Sequence, residues 1–409
     1  MRIGDLTALR RDVARWRTGG TLSSDATKTA ERIVRDVRRR RDRAVLASVR
    51  RFDRPRARES ELVVGASAIR SAARRCPADV RRALDLAHRR IRAFHRAQRP
   101  RAVRRADDDA IVELMPLPLR RIGALVPRGS VSYPSTALMT CAPARLAGVE
   151  EIVIASPMPR DGGLDPALAY AATLVGVGAI YRAGGAAAVA ALAYGTERVA
   201  RVDKIVGPGN AFATAAKRLV FADVGIDALS GPSELVVVAS RDADAATLVL
   251  DLLAQAEHGA GAFAALISDD ASLLDTVATI LARLDPTARI GCYHARSLVE
   301  GAAVADEIAP EHALLAGARA ASLRDRVRTA GALFVGSRSG VAFGDYVVGS
   351  QHTLPTGGTS RWSSALRVDD FVRYETRVTI RSRRLARAAA TVARYEGMRY
   401  HAASMEVRE

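Results

Sequence analysis

Cysteine is scarce in this 409-residue chain, which has three cysteines and no CxxC pair. Cys76, Cys141 and Cys292 are odd in number and widely spaced, so a disulfide framework is excluded and a reducing cytoplasm is expected. Because no run of about 18 uncharged apolar residues occurs, we also expect no membrane span. The N-terminal segment lacks the apolar core of a signal peptide, which argues against export.

Lysine is nearly absent. Lys28, Lys204 and Lys217 are the only three, so 59 of the 62 basic residues are arginine and the formal net charge is +18. Residues 1–100 hold 28 basic and 11 acidic residues, a net charge of +17, and the rest of the chain is almost neutral. Two interpretations stay open, a solvated face on Arg-rich helices or a surface for an acidic partner. Because no zinc finger or RNA-binding strand motif occurs, nucleic acid is the less favoured partner.

The apolar pattern predicts an α/β fold. From about residue 120, short and almost purely apolar runs alternate with Ala-rich helical stretches, which is typical of parallel sheets covered by helices on both faces. The predicted strands are 122–126, 151–155, 179–182, 204–206, 234–239, 263–268 and 332–336. The predicted helices are 27–51, 79–98, 136–147, 167–175, 185–193, 243–258 and 384–400. We expect the chemistry at the carboxyl ends of the parallel strands.

Three Gly-rich turns lie at predicted strand–helix junctions, at 126–135, 183–197 and 206–217. Backbone N–H groups at such a helix start can bind an anion such as a dinucleotide pyrophosphate. None of the turns has GxGxxG spacing, and taken alone such a turn is more often an ordinary tight turn than a ligand contact.

Two short segments carry side chains suited to catalysis. Gln255 and His258 are three residues apart near a helix end, so they could bind one ion or simply pack. Glu311 and His312 follow a proline that we expect to open a helix, where they could form an acid/base pair or only complement the helix dipole.

Two later segments are also candidates. Asp345 and His352 lie in a Gly-rich block at 341–364, and glycine permits close approach of the backbone to a ligand. Glu396 and His401 lie near the C-terminus, where an isolated histidine is ordinarily exposed. No HExxH, Cys–His or GxSxG motif occurs, so any metal ligands must come from distant segments and a serine hydrolase is disfavoured.

Taken together, five segments in this order resemble the histidinol dehydrogenase family: VDKIVGPGNAF, GIDALSGPSE, LLAQAEHG, APEH and GDYVVGSQHTLPTGG. The similarity runs from about residue 25 to residue 405. It implies a zinc-dependent homodimer that oxidises L-histidinol to L-histidine through the aldehyde with two NAD. It also implies two Rossmann-like lobes of mainly parallel sheet and a small C-terminal strand–helix extension.

The resemblance also implies the roles of individual residues. The implied zinc ligands are Gln255, His258, Asp345 and His401. The implied acid/base residues are Glu311 and His312. The implied substrate-binding residues are the four zinc ligands and His312, together with Ser233, His352 and Glu396. Because the C-terminal extension is implied to reach the partner subunit's active site, Glu396 and His401 would act in the partner.

The implied cofactor site departs from the family pattern. Asn210 is retained, whereas Leu125 and Ala187 stand where the family has Tyr and Gln, and Arg128 stands in place of Gly. Arg128 could pair with a phosphate or obstruct the pocket. The alternatives are therefore a dehydrogenase of the same fold for another amino or hydroxy alcohol, a paralogue with impaired NAD binding, or a binding protein for acidic partners. NADP in place of NAD and manganese in place of zinc also stay open.

The implied domain organisation has four parts. Residues 1–20 are a helical arm, and 21–124 with 235–366 form a first lobe that carries the metal and acid/base residues. Residues 125–234 form a second lobe on the dinucleotide side, and 367–409 form the extension.

Overall fold

The structure is a computed structural model that describes residues 3–18, 23–129, 131–284 and 289–408. The strands in the described ranges are β1 (Gly4–Asp5), β2 (Val63–Gly65), β3 (Val103–Ala106), β4 (Ala110–Pro118), β5 (Arg121–Leu125), β6 (Glu151–Ala155), β7 (Ala179–Tyr181), β8 (Lys204–Val206), β9 (Gly225–Ile226), β10 (Glu234–Ala239), β11 (Phe263–Ser268), β12 (Arg289–His294), β13 (His312–Ala316), β14 (Ala332–Val335) and β15 (Val372–Ile380). The helices are α1 (Leu6–Thr18), α2 (Ser24–Arg40), α3 (Asp42–Phe52), α4 (Ala66–Ala73), α5 (Ala78–Arg96), α6 (Pro134–Ala147), α7 (Pro166–Leu174), α8 (Gly185–Tyr194), α9 (Ala211–Val220), α10 (Ala245–Ala256), α11 (Ala271–Leu284), α12 (Leu298–Ile308), α13 (Ala318–Ala321), α14 (Ala342–Tyr346), α15 (Arg384–Tyr395) and α16 (Arg399–Glu406).

These elements form two six-stranded sheets and one small sheet. Sheet A has the order β1-β12-β11-β10-β13-β14 and is parallel throughout. Sheet B has the order β2-β7-β6-β5-β8-β9 and is parallel except for its edge strand β2. Counted from β10 or from β5, each sheet has the doubly wound order 3-2-1-4-5, and its strand order reverses between the first and fourth strands. The fold is therefore α/β with two Rossmann-like lobes, as predicted.

Burial explains why these runs form strands. Every residue of β10 and β11 is buried, because helices cover both faces of sheet A. Helices α1 and α12 pack on one face, and α10 and α11 pack on the other. In sheet B, helices α2, α3, α8 and α9 cover one face and α4 to α7 cover the other. Four of the seven predicted strands have the bounds observed, and the other three differ by one residue at one or both ends.

The predicted helix at 27–51 is two helices. Arg41 between α2 and α3 has a φ of 48°, a conformation that an α-helix cannot contain, and the chain turns there. Arginines on this segment also make contacts within the chain: Arg38 lies over the ring of Tyr194, and Arg41 donates to the Gly195 carbonyl. Part of the Arg-rich face thus packs against the protein itself.

The structure also differs from the predicted grouping of residues into lobes. The strands of 21–124 that enter a six-stranded sheet are β2 and β5, and both belong to sheet B instead of joining 235–366. Helices α2 and α3 bury Ala30, Val37 and Val45 against α8 and α9 on the same sheet. The predicted N-terminal arm joins sheet A, where β1 pairs with β12 and α1 packs beside it. Burial of these apolar helix faces decides the grouping.

The C-terminal extension joins sheet C, whose order is β15-β4-β3. Strand β15 pairs antiparallel with all nine residues of β4. Beyond it, α15 and α16 pack on each other and bury only Ala390, Ala393 and Ala402. Large apolar side chains stay exposed here, among them Tyr395, Tyr400 and Val407. Across the described residues, no helix combines the length and apolar character needed to cross a bilayer.

Candidate active site

Glu311 and His312 lie at the amino end of β13. The expectation that Pro310, Glu311 and His312 open a helix is wrong, because residues 312–316 form a fully buried strand between β10 and β14. Helix α12 ends just before it, at Ile308, and the capping residue Ala309 has a φ of 52°. The pair therefore stands at the amino edge of sheet A, whereas the chemistry was expected at the carboxyl ends of the strands.

Hydrogen bonds orient Glu311. Its Oε2 accepts from Ser233 Oγ at 2.5 Å and from the Glu234 N–H at 3.1 Å. Gln255 Nε2 donates in turn to Ser233 Oγ at 2.8 Å. These residues meet because β10 and β13 are neighbours, with Leu235 opposite His312, and because α10 returns along β10. Three residues predicted for the site are thus brought into one hydrogen-bonded chain.

Burial sets the charges of the acid/base pair. It raises the pKa of Glu311 to about 7, against the hydrogen bond from Ser233 that lowers it. It lowers the pKa of His312 to about 4, so the imidazole is neutral at pH 7. His312 Nδ1 lies 3.6 Å from Glu311 Oε2, is buried and has no hydrogen-bond partner among the described residues. This nitrogen is therefore free to take up a proton from a bound molecule.

Asp345 and His352 come from a later segment of the chain and lie near the acid/base pair. Asp345 lies on the short helix α14, and its backbone carbonyl is 3.3 Å from His352 Nδ1. Burial raises the pKa of Asp345, and His312 opposes that shift, so the two side chains lie close enough to interact. Burial also lowers the pKa of His352 to about 4, and its buried Nε2 has no hydrogen-bond partner in the part of the chain that the structure describes. Two buried unpartnered ring nitrogens, one from each histidine, indicate a site that receives a polar ligand.

The donor set of one chain suits a divalent cation but is incomplete. Gln255 is buried and its amide nitrogen is engaged by Ser233, so its amide oxygen is the atom that could bind an ion. His258 lies just beyond the end of α10 and is exposed, so the helix ends two residues earlier than predicted. His258 and Asp345 both act on the pKa of His312. Amide oxygen, imidazole and carboxylate are three ligands, and zinc usually takes four.

The structure does not bring His401 to this set within one chain. His401 on α16 and Glu396 at the end of α15 are both exposed. Within the ranges that the structure describes, no three His, Cys, Asp or Glu side chains form a group able to hold a metal ion. Among the described residues of one chain, His401 therefore forms no such group with His258 and Asp345.

Glu234 is a residue that the motif reasoning missed. Its carboxylate is buried and accepts from Arg17 Nη2 at 3.1 Å and from the Gly357 N–H at 2.7 Å. Arg17 also donates to the Ile308 carbonyl at 2.8 Å. The end of α1, the start of β10 and the turn at 356–357 are thereby fixed around the acid/base pair. A charged residue directly before the apolar run LVVVA was the signal in the sequence, since a buried carboxylate requires partners.

The dinucleotide-side residues meet at the carboxyl ends of β5 and β8. Asn210 caps α9, its Oδ1 accepting from the Ala213 N–H at 3.0 Å. A Cβ on Gly185 at the start of α8 would have Asn210 Oδ1 as its nearest neighbour, at 3.9 Å. Leu125 is buried at the end of β5, and Ala187 is buried within α8. The structure therefore places Asn210, Leu125 and the glycine turns at the reversal point of sheet B, where doubly wound sheets bind nucleotides.

A buried ion pair holds the turn before Asn210, and sequence reasoning missed this pair as well. Lys217 Nζ donates to Asp227 Oδ1 and to the Gly207 carbonyl, each at 2.6 Å. Asp227 Oδ2 accepts from the Gly207 N–H at 2.6 Å. Both side chains are at most 4% exposed. The signal was the lysine itself, since only three occur in the chain.

The chain is similar to known proteins over nearly its whole length. Residues 17–409 match the family model described as histidinol dehydrogenase. The chain is 41% identical over 406 residues to the histidinol dehydrogenase of Syntrophotalea carbinolica, covering 95% of this chain and 94% of that protein. It is 42% identical over 404 residues to that of Gluconobacter oxydans, covering 94% of each. A crystal structure of histidinol dehydrogenase from Elizabethkingia anophelis matches with a TM-score of 0.87 and 30% identity, covering 94% of this chain and 92% of that chain.

Motif order, doubly wound lobes and full-length similarity agree, and the chain therefore belongs to the histidinol dehydrogenase family and is a dehydrogenase of that type, as the sequence predicts.

Proposed function

We propose that this enzyme oxidises L-histidinol to L-histidine through the aldehyde, the last step of histidine biosynthesis, in the cytoplasm. The observation that carries the proposal is the buried Glu311–His312 pair, which the Ser233–Gln255 chain orients beside Asp345. The full-length similarity to proteins named for this activity supports the choice of substrate.

The metal position is the first part of this proposal. Gln255, His258 and Asp345 would hold a divalent cation, zinc by the family resemblance, together with His401 of the partner subunit. When bound, the cation supplies polarisation of the alcohol oxygen and orientation of the amino alcohol, and NAD at the Asn210 side supplies the hydride acceptor.

The remaining chemistry falls to side chains of this chain. His312 is neutral at pH 7, and its unpartnered Nδ1 takes the alcohol proton as hydride leaves the carbon. Glu311 Oε2 already accepts two hydrogen bonds, which leaves Oε1 to take a proton from the water that hydrates the aldehyde. His352 positions the substrate through its buried Nε2, which no described residue contacts by a hydrogen bond.

The test is reduced-cofactor formation with L-histidinol and each dinucleotide. Glu311→Gln and His312→Asn should each lower kcat by about a hundredfold or more, because each removes a proton acceptor. Asp275→Asn on the exposed face of α11 is the matched control and should leave kcat unchanged. Wild-type activity with histidinol that neither substitution reduces would contradict the assignment.

A second candidate is a dehydrogenase of the same fold for another amino or hydroxy alcohol. The buried, apolar Leu125 and Ala187 on the dinucleotide side favour it, since both replace polar groups of the family pattern. A panel of amino alcohols decides between the two. Histidinol with the highest kcat/KM supports the first function, and any other alcohol supports the second.

We also propose that the active enzyme is a homodimer with shared sites. The exposed apolar side chains of α15 and α16 support this arrangement. Exposed His401, which forms no metal-binding group with His258 and Asp345 among the described residues of one chain, supports it as well. Inactive His401→Ala and Glu311→Gln proteins, unfolded and refolded together, should regain about a quarter of wild-type activity, because half of the dimers are mixed and each has one intact site. No recovery would contradict site sharing.

A further inference from the structure

A cavity of about 280 Å³ lies where α5, α6 and the end of α7 meet. None of the described residues that line it belongs to the candidate active site. Residues 142–146 end α6 before β6 begins, and residues 174–176 lie at the end of α7, before β7. The cavity therefore lies toward the amino edge of sheet B, whereas Asn210 lies at the carboxyl edge. The five residues of β6, about 16 Å of strand, separate the two edges.

The polar lining of this cavity is basic. His88, Arg92 and Arg145 line it, and no aspartate or glutamate is among its described lining residues. Arg92 is exposed and makes no hydrogen bond or ion pair within the described part of the chain. Burial lowers the pKa of His88, as does the charge of Arg92, whereas Asp85 raises it. Asp85 accepts a hydrogen bond from the Tyr170 hydroxyl at 2.9 Å. The lining thus carries two guanidinium charges and no carboxylate.

Arg145 is held in place by backbone carbonyls. Its Nε donates to the Val175 carbonyl at 3.0 Å, and its Nη1 donates to the carbonyls of Val149 and Glu150, each at 2.7 Å. Its Nη2 donates to the Gly176 carbonyl. A guanidinium has five N–H groups, so one N–H on Nη2 is left for a ligand. Because carbonyl oxygens carry no net charge, the positive charge of Arg145 also stays available to an anion.

The rest of the lining is apolar and includes Leu146, Leu174 and Val175. The volume is close to the lower end of the range for sites that bind small organic molecules. A bare inorganic anion would leave this apolar surface in contact with water, whereas a carboxylate with a hydrocarbon body would cover it. An ammonium group is unsuited to the cavity, because two positive charges repel it and no carboxylate in the lining pairs with it.

We propose that this cavity binds a small aliphatic carboxylate that carries no ammonium group. The carboxylate accepts hydrogen bonds from Arg92 and from the remaining Nη2–H of Arg145, and its hydrocarbon body lies on Leu146, Leu174 and Val175. Histidinol and histidine both carry an ammonium group, so the cavity is not a second site for the substrate or the product of the proposed function. The inference goes beyond that function and does not depend on it.

The direct test is a ligand-observed NMR titration of the full chain at low ionic strength, where charge contacts are least screened. Isocaproate, the carboxylate that has the carbon skeleton of leucine, should bind at one saturable site with a Kd of about 1 mM. Three related compounds should each bind at least about tenfold more weakly. They are leucine, which adds an ammonium group, isohexanol, which lacks the charge, and acetate, which lacks most of the hydrocarbon body.

Two substitutions locate the site. Arg92→Gln should weaken isocaproate binding at least about fivefold, because it removes the guanidinium that has no partner in the described part of the chain. Leu174→Asp brings a negative charge into the cavity from α7 and should abolish measurable binding, which keeps the test decisive if Arg92→Gln lowers the thermal midpoint. Arg89→Gln removes an exposed arginine of α5 that does not line the cavity, so this matched control should keep the wild-type Kd.

Competition experiments complete the test. Saturating 5′-AMP should leave the Kd for isocaproate unchanged, because the nucleotide side lies at the opposite edge of sheet B. Displacement of isocaproate by 5′-AMP would overturn the proposal, as would equal binding of isocaproate and leucine or binding that both Arg92→Gln and Leu174→Asp retain. Tighter binding of inorganic phosphate than of isocaproate would overturn the choice of a carboxylate. A protein that fails to oxidise histidinol leaves each of these expectations in place, so the two proposals fail separately.

Discussion

Replacing Lys217 by methionine removes the cation that holds the turn before Asn210. In the wild-type protein Lys217 Nζ donates to Asp227 Oδ1 and to the Gly207 carbonyl, each at 2.6 Å. Methionine keeps most of the side-chain volume but makes neither hydrogen bond. Asp227 then stays buried, and its remaining donors among the described residues are the N–H groups of Gly207 and Ala228.

The size of the effect follows from that burial. The two side chains are 3% and 4% exposed, so solvent cannot replace the lost ammonium group. Removing one partner of such a pair costs about 3–5 kcal/mol of unfolding free energy, because the remaining charge is left uncompensated. The double variant Lys217→Met with Asp227→Asn should be less destabilised than Lys217→Met alone, by about 1–3 kcal/mol, since no buried charge remains.

Chemical denaturation followed by circular dichroism measures both variants, and Lys28→Met on the exposed side of α2 is the matched control. The control should unfold at the wild-type midpoint. Because the pair also holds Gly207, Lys217→Met should weaken 5′-AMP binding by about tenfold. A single variant that is as stable as the double variant would refute the reasoning, since it would show that Asp227 needs no cation in this place.

Three further results are expected. Gly207→Ala should unfold at a markedly lower denaturant concentration or fail to fold, because Gly207 has a φ of 101° and a Cβ there would overlap the Leu125 carbonyl oxygen. The control Gly65→Ala should leave stability unchanged, since no atom lies within 4 Å of the new Cβ. Burial raises the pKa of Asp53 to about 6, so its neutral form is favoured by folding and stability falls as pH rises from about 4 to about 6. Asp53→Asn should therefore stabilise the protein by about 1 kcal/mol at pH 8 and have no effect near pH 3, and equal effects at both pH values in denaturation curves would contradict this. Treatment with a chelator should abolish histidinol oxidation, and added zinc or manganese should restore it. A protein that elemental analysis shows to be free of metal and that is still fully active would contradict the metal assignment.

The fold was predictable where burial alone decides the structure. Strands at 234–239 and 263–268 have the predicted bounds because every side chain in them is buried between two helical layers. The strand at 312–316 was not predictable in this way. Its five residues follow a proline and a glutamate, a pattern that also starts helices, and pairing with β10 and β14 decides between the two. Which sheet β2 and β5 enter depends likewise on distant packing, since α2 buries its apolar face on α8 and α9.

The side chains of the candidate site were predictable from their motifs, but the edge of the sheet that carries them was not. The rule that active sites follow the carboxyl ends of parallel strands holds for Asn210 in sheet B and is reversed for Glu311 and His312 in sheet A. The segment between the two sheets explains the reversal. It leaves β9 at Asp227 and enters β10 at Glu234.

Seven residues of extended chain span at most about 25 Å, so the carboxyl edge of sheet B must lie near the amino edge of sheet A. Hydrogen bonds shorten that path further. Thr214 Oγ1 donates to the Ser230 carbonyl at 3.0 Å, and the Gly231 N–H donates to Thr356 Oγ1 at 2.5 Å. The linker is thus tied to the helix after Asn210 on one side and to the turn beside the acid/base pair on the other. A dinucleotide held by one lobe can therefore reach a substrate held by the other only if the second lobe presents its amino edge, which is where Glu311 and His312 lie.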